Sequence, residues 1–202
     1  MNESISDHNV VVVGGDPGAY KFDGRFHLGE PGKPIKDESG KLCGVTKPRT
    51  IVHVHSLGGE AKFFQGIAEE GKLFATQCKN KNCPGFSSIY LPFRIFCPDC
   101  LGRMEVVDLT NAAQENARVY TFIVTSRTGA FNTLKTPIRF IDIEIPGVVT
   151  ILKSYLLGPT NPEIGMRVVP IFKLKNPTYT IKDLAWVPAD MARSRLPEEF
   201  WF

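Results

Sequence analysis

Cys78-Lys79-Asn80-Lys81-Asn82-Cys83 and, beyond residues 84–96, Cys97-Pro98-Asp99-Cys100 decide how this chain is to be read. Two short-spaced cysteine pairs separated by roughly ten to twenty residues form the ligand pattern of a zinc ribbon or a rubredoxin-like site. The reason is geometric. Zinc accepts four thiolates in a tetrahedron at roughly 2.3 Å, so each pair must sit on a tight turn that brings two sulfurs together. Pro84-Gly85 after the first pair, and Pro98 and Gly102 around the second, supply such turns. The first pair is wider than the commoner spacing and predicts a looser knuckle. A single iron would use the same ligands. Four protein thiolates leave no place for water, so one structural Zn(2+) per chain is expected, with no catalytic residue of the chain's own. The chain has five cysteines. An odd number, four of them at ligand spacing, argues against a disulfide framework and leaves Cys43 as an ordinary free thiol.

Working outward, residues 57–74 predict an amphipathic helix. Ser56 can cap it and Gly71 can end it, and Phe63, Phe64, Ile67 and Ala68 form one apolar stripe. That stripe suits either the core or a partner surface. Downstream of the ribbon, 75–103, five β-rich segments are separated by turn signals. They are Met104 to Leu109, Arg118 to Ser126, Pro137 to Ile145, Val148 to Leu157 and Met166 to Leu174. They predict a small barrel over 104–175. The class is therefore mainly β. Residues 1–56, interrupted by glycine and proline, read as an extended N-terminal arm with short strands at Val10 to Val13 and Ile51 to His55. Residues 176–202 read as a docking tail ending in Phe200-Trp201-Phe202, three aromatics costly to expose.

Other candidates are weaker. His53 and His55 share a strand face with no acidic or cysteine neighbour. Gly14-Gly15-Asp16-Pro17-Gly18 lacks the phosphate-loop Lys-Ser/Thr and reads as a turn. Asp142 and Glu144 alternate with Ile141, Ile143 and Ile145, the pattern of a half-buried strand rather than a catalytic pair. The net charge of +3 in 202 residues shows no basic nucleic-acid footprint. No apolar run approaches a membrane span, and no signal-peptide core is evident, so a cytoplasmic protein without membrane contact is expected.

The order of helix, four-cysteine ribbon and barrel resembles the zinc-ribbon OB-fold proteins grouped as domain of unknown function thirty-five. The resemblance rests on Phe63-Phe64-Gln65-Gly66-Ile67, on Gly71-Lys72-Leu73, on Leu91 to Cys100, on Val119-Tyr120-Thr121-Phe122 and on Ile164-Gly165-Met166-Arg167-Val168. It covers roughly residues 59–175. The widened first cysteine pair and the long arm depart from it.

The resemblance implies a five-stranded OB-fold barrel. It also implies a partnership with a thiolase-like catalytic subunit of acyl-CoA metabolism, such as benzoylsuccinyl-CoA thiolase of anaerobic toluene breakdown. The acyl-CoA would be met through the complex. In that reading Lys79, Lys81 and Arg94 would lie near the coenzyme A phosphates, and Phe63, Phe64, Phe200, Trp201 and Phe202 would dock the partner. Two other classes compete. One is a single-stranded nucleic-acid binder stacking bases on Tyr120, Phe122 and Phe140, which the weak charge disfavours. The other is a free-standing acyl-CoA-binding protein.

Overall fold

The computed structural model of the chain describes residues 10–12, 20–22, 33–46, 57–126 and 134–202, in two units, 1–59 and 60–202. The expected glycine turn at 14–18, the strand at 51–55 with His53 and His55, and the turn signals Gly129 and Asn132 lie outside the described residues.

Among the described residues, the first unit holds two antiparallel strand pairs. β1 (Val10–Val12) pairs with β2 (Tyr20–Phe22), and β3 (Lys33–Lys36) pairs with β4 (Leu42–Thr46). The second turn is written locally. The Asp37 carboxylate accepts the backbone N–H of Ser39 at 2.9 Å and of Lys41 at 3.0 Å, and Gly40 takes a left-handed φ of 80° that costs it little without a Cβ. The hydrogen bonds from Ser39 and Lys41 lower the Asp37 pKa. Cys43 is exposed on this hairpin.

A 3-10 turn at Gly58–Glu60 spans the boundary, and the second unit continues with α1 (Ala61–Gln65) and a wider, π-type turn over Gly66–Glu70. Gly71, with φ of 63°, ends the helix as its sequence predicts. The apolar stripe faces inward: Phe63 is 3% exposed and Ile67 fully buried. The core of this chain therefore claims Phe63, one of the residues assigned to partner docking, while Phe64 packs edge-to-face on it with ring centroids 5.3 Å apart.

β5 (Phe74–Gln77) is the middle of a three-stranded antiparallel sheet between β6 (Ile89–Tyr90) and β7 (Glu105–Asp108). Here the structure corrects the barrel reading, because the segment 104–109 joins the ribbon's sheet. β-rich composition between turn signals marks a strand, but it does not say which strand will lie beside it. α2 (Thr110–Asn116) follows, its first turn held by Asp108, which accepts the Thr110 N–H at 2.9 Å.

The remaining strands are β8 (Arg118–Thr125), β9 (Ile138–Glu144), β10 (Leu152–Leu156), β11 (Val168–Lys173), β12 (Leu184–Pro188) and β13 (Phe200–Trp201). They form one sheet in the order β13-β11-β12-β10-β9-β8, in which only β10 and β12 run parallel. The sheet curls shut. The Val119 N–H donates to the Met166 carbonyl at 3.0 Å and the Val168 N–H to the Ala117 carbonyl at 3.1 Å, joining β8 to the start of β11. Strands β8 to β12 thus make the barrel, and β12, from the segment read as a docking tail, takes the place expected for 104–109. Every residue of β12 is buried. The core gathers Trp186, Phe172, Ile141, Ile143 and Leu152. Ile141, Ile143 and Ile145 point inward as expected, and Asp142 pairs outside with Lys153 at 2.7 Å. Among the described residues, no helix is long and apolar enough to cross a membrane.

Candidate metal centre

The four cysteine sulfurs lie within 4.8 Å of one another. Cys78 Sγ is 3.9 Å from Cys100 Sγ, and Cys83 Sγ is 3.7 Å from Cys97 Sγ. A tetrahedron with metal–sulfur bonds of about 2.3 Å has edges of about 3.8 Å, and a disulfide needs about 2.05 Å. The donor set therefore fits one tetrahedral ion and no disulfide, so these residues can hold a metal.

Local hydrogen bonds explain why the chain folds this way. In the first knuckle the Asn80 carbonyl accepts the Cys83 N–H at 3.0 Å, and the Asn80 side chain accepts the Asn82 N–H at 3.0 Å. This turn absorbs the residues that widen the pair. Cys83 Sγ accepts the Gly85 N–H at 3.3 Å. A Cβ on Gly85 would come within 2.3 Å of the Asp99 carboxylate, so a larger residue there would require the exposed Asp99 side chain to move aside. In the second knuckle the Cys97 N–H donates to the Gly102 carbonyl, and the Leu101 N–H to the Cys97 carbonyl, both at 2.9 Å. Leu101 adopts a left-handed φ of 55°, unusual for a bulky residue, and is 76% exposed. Cys78, Cys83 and Cys97 are buried, with Tyr90 and Met104 completing the cluster.

Burial pushes the Cys83 thiol up to about 12 and raises Cys78 as well. The Gly102 N–H, with help from the Asn80 side chain, draws Cys100 down to about 7. Buried thiols of this kind stay protonated near neutrality unless a cation compensates their charge. Asn80, Tyr90 and Asp99 were not singled out from the sequence, whereas Gly85 was, as part of the turn after the first pair. The Asn-x-Asn of the first pair was the available signal.

Lys79, Lys81 and Arg94 are all exposed around this centre, and Arg94 stacks over the Tyr90 ring at 5.6 Å. Phe200, Trp201 and Phe202 lie elsewhere on the unit. β13 runs along β11, Phe200 and Phe202 pack against a second apolar cluster, and Trp201 stays 56% exposed.

The fold and site define a class: a four-cysteine metal ribbon joined to a small OB-type barrel. Comparison with family models and with curated proteins finds no sequence match. Two solved structures similar to the chain are DUF35 proteins. One is a protein of unknown function of the DUF35 family from Sulfolobus solfataricus, with 21% identity, 64% of this chain and 86% of that chain covered, and a TM-score of 0.45. The other is the Ltp2-ChsH2(DUF35) aldolase, with 21% identity, 64% and 94% covered, and a TM-score of 0.48.

Proposed function

We propose that this chain is a non-catalytic, zinc-binding subunit of a heteromeric thiolase-type acyl-CoA acyltransferase, working in the cytoplasm. The particular enzyme proposed is benzoylsuccinyl-CoA thiolase. One observation carries the non-catalytic part: four protein sulfurs already fit a tetrahedron, so a bound ion has no open position for substrate. The ion's contribution is then structural, holding together a ribbon whose buried cluster is mostly its own ligands.

The partnership rests on the resemblance quoted from residues 59–175 and on surfaces left uncovered. Lys79, Lys81 and Arg94 are free to meet coenzyme A phosphates at a shared interface. Phe64 at the edge of the core and exposed Trp201 are the docking contacts of the helix and tail, with residues 1–56 as the arm that wraps the partner. The nucleophile and base belong to that partner, where a cysteine takes the acyl group and coenzyme A releases it.

Co-expression with a thiolase tests this. A stable complex carrying one zinc per copy of this chain, measured by plasma mass spectrometry, is the expected result. A chain that ignores every thiolase offered sinks the reading. A second reading draws on exposed Tyr120 and Phe122 on β8, which could stack nucleic-acid bases. Salt-dependent binding to a single-stranded oligonucleotide would favour it. Tight binding of coenzyme A esters by the isolated chain would favour a free-standing acyl-CoA-binding protein.

A further inference from the structure

The barrel carries a cavity of about 290 Å³ between the approach to β9 and the end of β10. Its lining includes Leu156, which shares the face of its strand partner Arg139, and Ile138, Leu134 and Leu157 of the second apolar cluster, with Ile138 and Leu156 each 3% exposed. Two cations, Lys135 and Arg139, stand in the same lining. Among the described residues neither is paired with a carboxylate. Arg139 spends one side of its guanidinium on the barrel: Nε faces Asn161 Oδ1 at 3.5 Å, and Nη2 donates to the Pro159 carbonyl at 3.2 Å. Nη1 and the second Nη2 hydrogen remain, a ready fork for a planar anion. Of the other polar side chains in the lining, Thr136 is exposed, and the Tyr155 hydroxyl is committed, donating to the Lys182 carbonyl at 2.7 Å.

We propose that this cavity is a subsite for a small monocarboxylate with an apolar body. The carboxylate sits on the free edge of Arg139 beside Lys135, and the hydrocarbon lies against Ile138, Leu156 and Leu157. The volume falls at the lower end for small-molecule pockets and suits about ten non-hydrogen atoms. An apolar wall beside an unpaired guanidinium favours this ligand over either simpler one. An alcohol leaves the cation without a counter-charge, and inorganic phosphate leaves the apolar wall in contact with water. The site needs no partner subunit, so it stands or falls apart from the function proposed above.

The test is calorimetric titration of the full chain with octanoate, octanol and inorganic phosphate. Octanoate is expected to saturate a single site, with octanol and phosphate each at least about tenfold weaker. Lys135→Gln should weaken octanoate about tenfold while the melting temperature stays put, because Lys135 holds nothing else in place. Arg139→Gln should do the same or more, though it also releases Pro159. Equal binding of octanol would remove the role of the cations. Equal binding of phosphate would make the site a general anion contact. No saturation by about 10 mM octanoate would remove the subsite altogether.

Discussion

The ribbon and the barrel sit side by side in one unit and are held by different forces. The barrel buries Trp186, Phe172, Ile141, Ile171 and Leu184, large side chains with no polar task. The ribbon has a small cluster of its own, Cys78, Cys83, Cys97, Tyr90 and Met104, in which three of the five are candidate metal ligands, while its Leu91 and Phe93 join the barrel's core cluster. Burial at about 25 cal/mol per Å² suffices for the first region and not for the second. The difference teaches that metal and hydrophobic core are distinct supports that meet at Leu91 and Phe93, and each can be removed to see what the other holds.

The largest effect should follow removal of the metal, by a strong chelator or by Cys97→Ser. Structural zinc contributes about 10–16 kcal/mol in isolated zinc-finger peptides, where binding and folding are one event. Amide signals from 76–104 are expected to collapse toward random-coil positions in NMR spectra, while those of 118–188 persist. Simultaneous loss of both sets would break the comparison and make the two regions one cooperative body. Trp186→Ala should come next, at about 3–5 kcal/mol in chemical denaturation, because a fully buried indole leaves a large void. It should unfold the barrel without changing the metal stoichiometry of the folded fraction. Trp186→Phe should cost less, since the buried Trp186 indole N–H has no partner to lose.

The same contrast explains what could be read in the sequence. Metal ligation is local and chemical, so Cys78, Cys83, Cys97 and Cys100 announce themselves by spacing alone. Gly71 is local too, since its left-handed φ ends a helix wherever it lies. Strand partnership is not local. Glu105–Asp108 is β-rich like a barrel strand, yet Val106 and Val107 lie opposite Thr76 and Ala75 in the ribbon sheet. Leu184–Pro188 failed for the opposite reason. Buried on both faces between β10 and β11, it shows no alternation, and it lies inside a polar stretch that reads as a tail. The cavity beside Arg139 was likewise out of reach, because only the β9–β10 pairing brings residues 134–139 beside 155–158.

Asp183 lies within that misread stretch and gives the third prediction. It is fully buried, and its carboxylate accepts the Thr178 N–H at 2.8 Å, the Thr178 hydroxyl at 2.8 Å and the Thr180 N–H at 3.3 Å. These bonds cap the short 3-10 turn that launches β12. Asp183→Ala strands three donors and should cost about 3 kcal/mol, less than the Trp186 void because the turn can open to water. A cost near zero would mean that β12 is aimed by its apolar side chains alone.

The smallest stability effect should come from Trp201, where the outcome separates folding from function. β13 is two residues long and pairs only Phe172 with Trp201 and Lys173 with Phe200. Of the nearby ion pairs, Lys175 with Glu198 is exposed and contributes little, and Lys173 with Glu199 is partly covered on the lysine side. Trp201→Ala removes a ring that is already 56% exposed, so the isolated chain should melt within about 0.5 kcal/mol of the parent. Phe200→Ala, whose ring packs against the barrel's second cluster, should cost about 1 kcal/mol more. If Trp201 is a docking contact, its loss should instead weaken the complex with the proposed partner by about tenfold, since exposed aromatics that become buried at an interface carry much of its energy. Surface plasmon resonance on the two variants reads the distinction directly. Weaker binding for Trp201→Ala at unchanged melting temperature assigns the tail to the partner. Unchanged binding leaves β13 as an edge strand that serves only its own barrel.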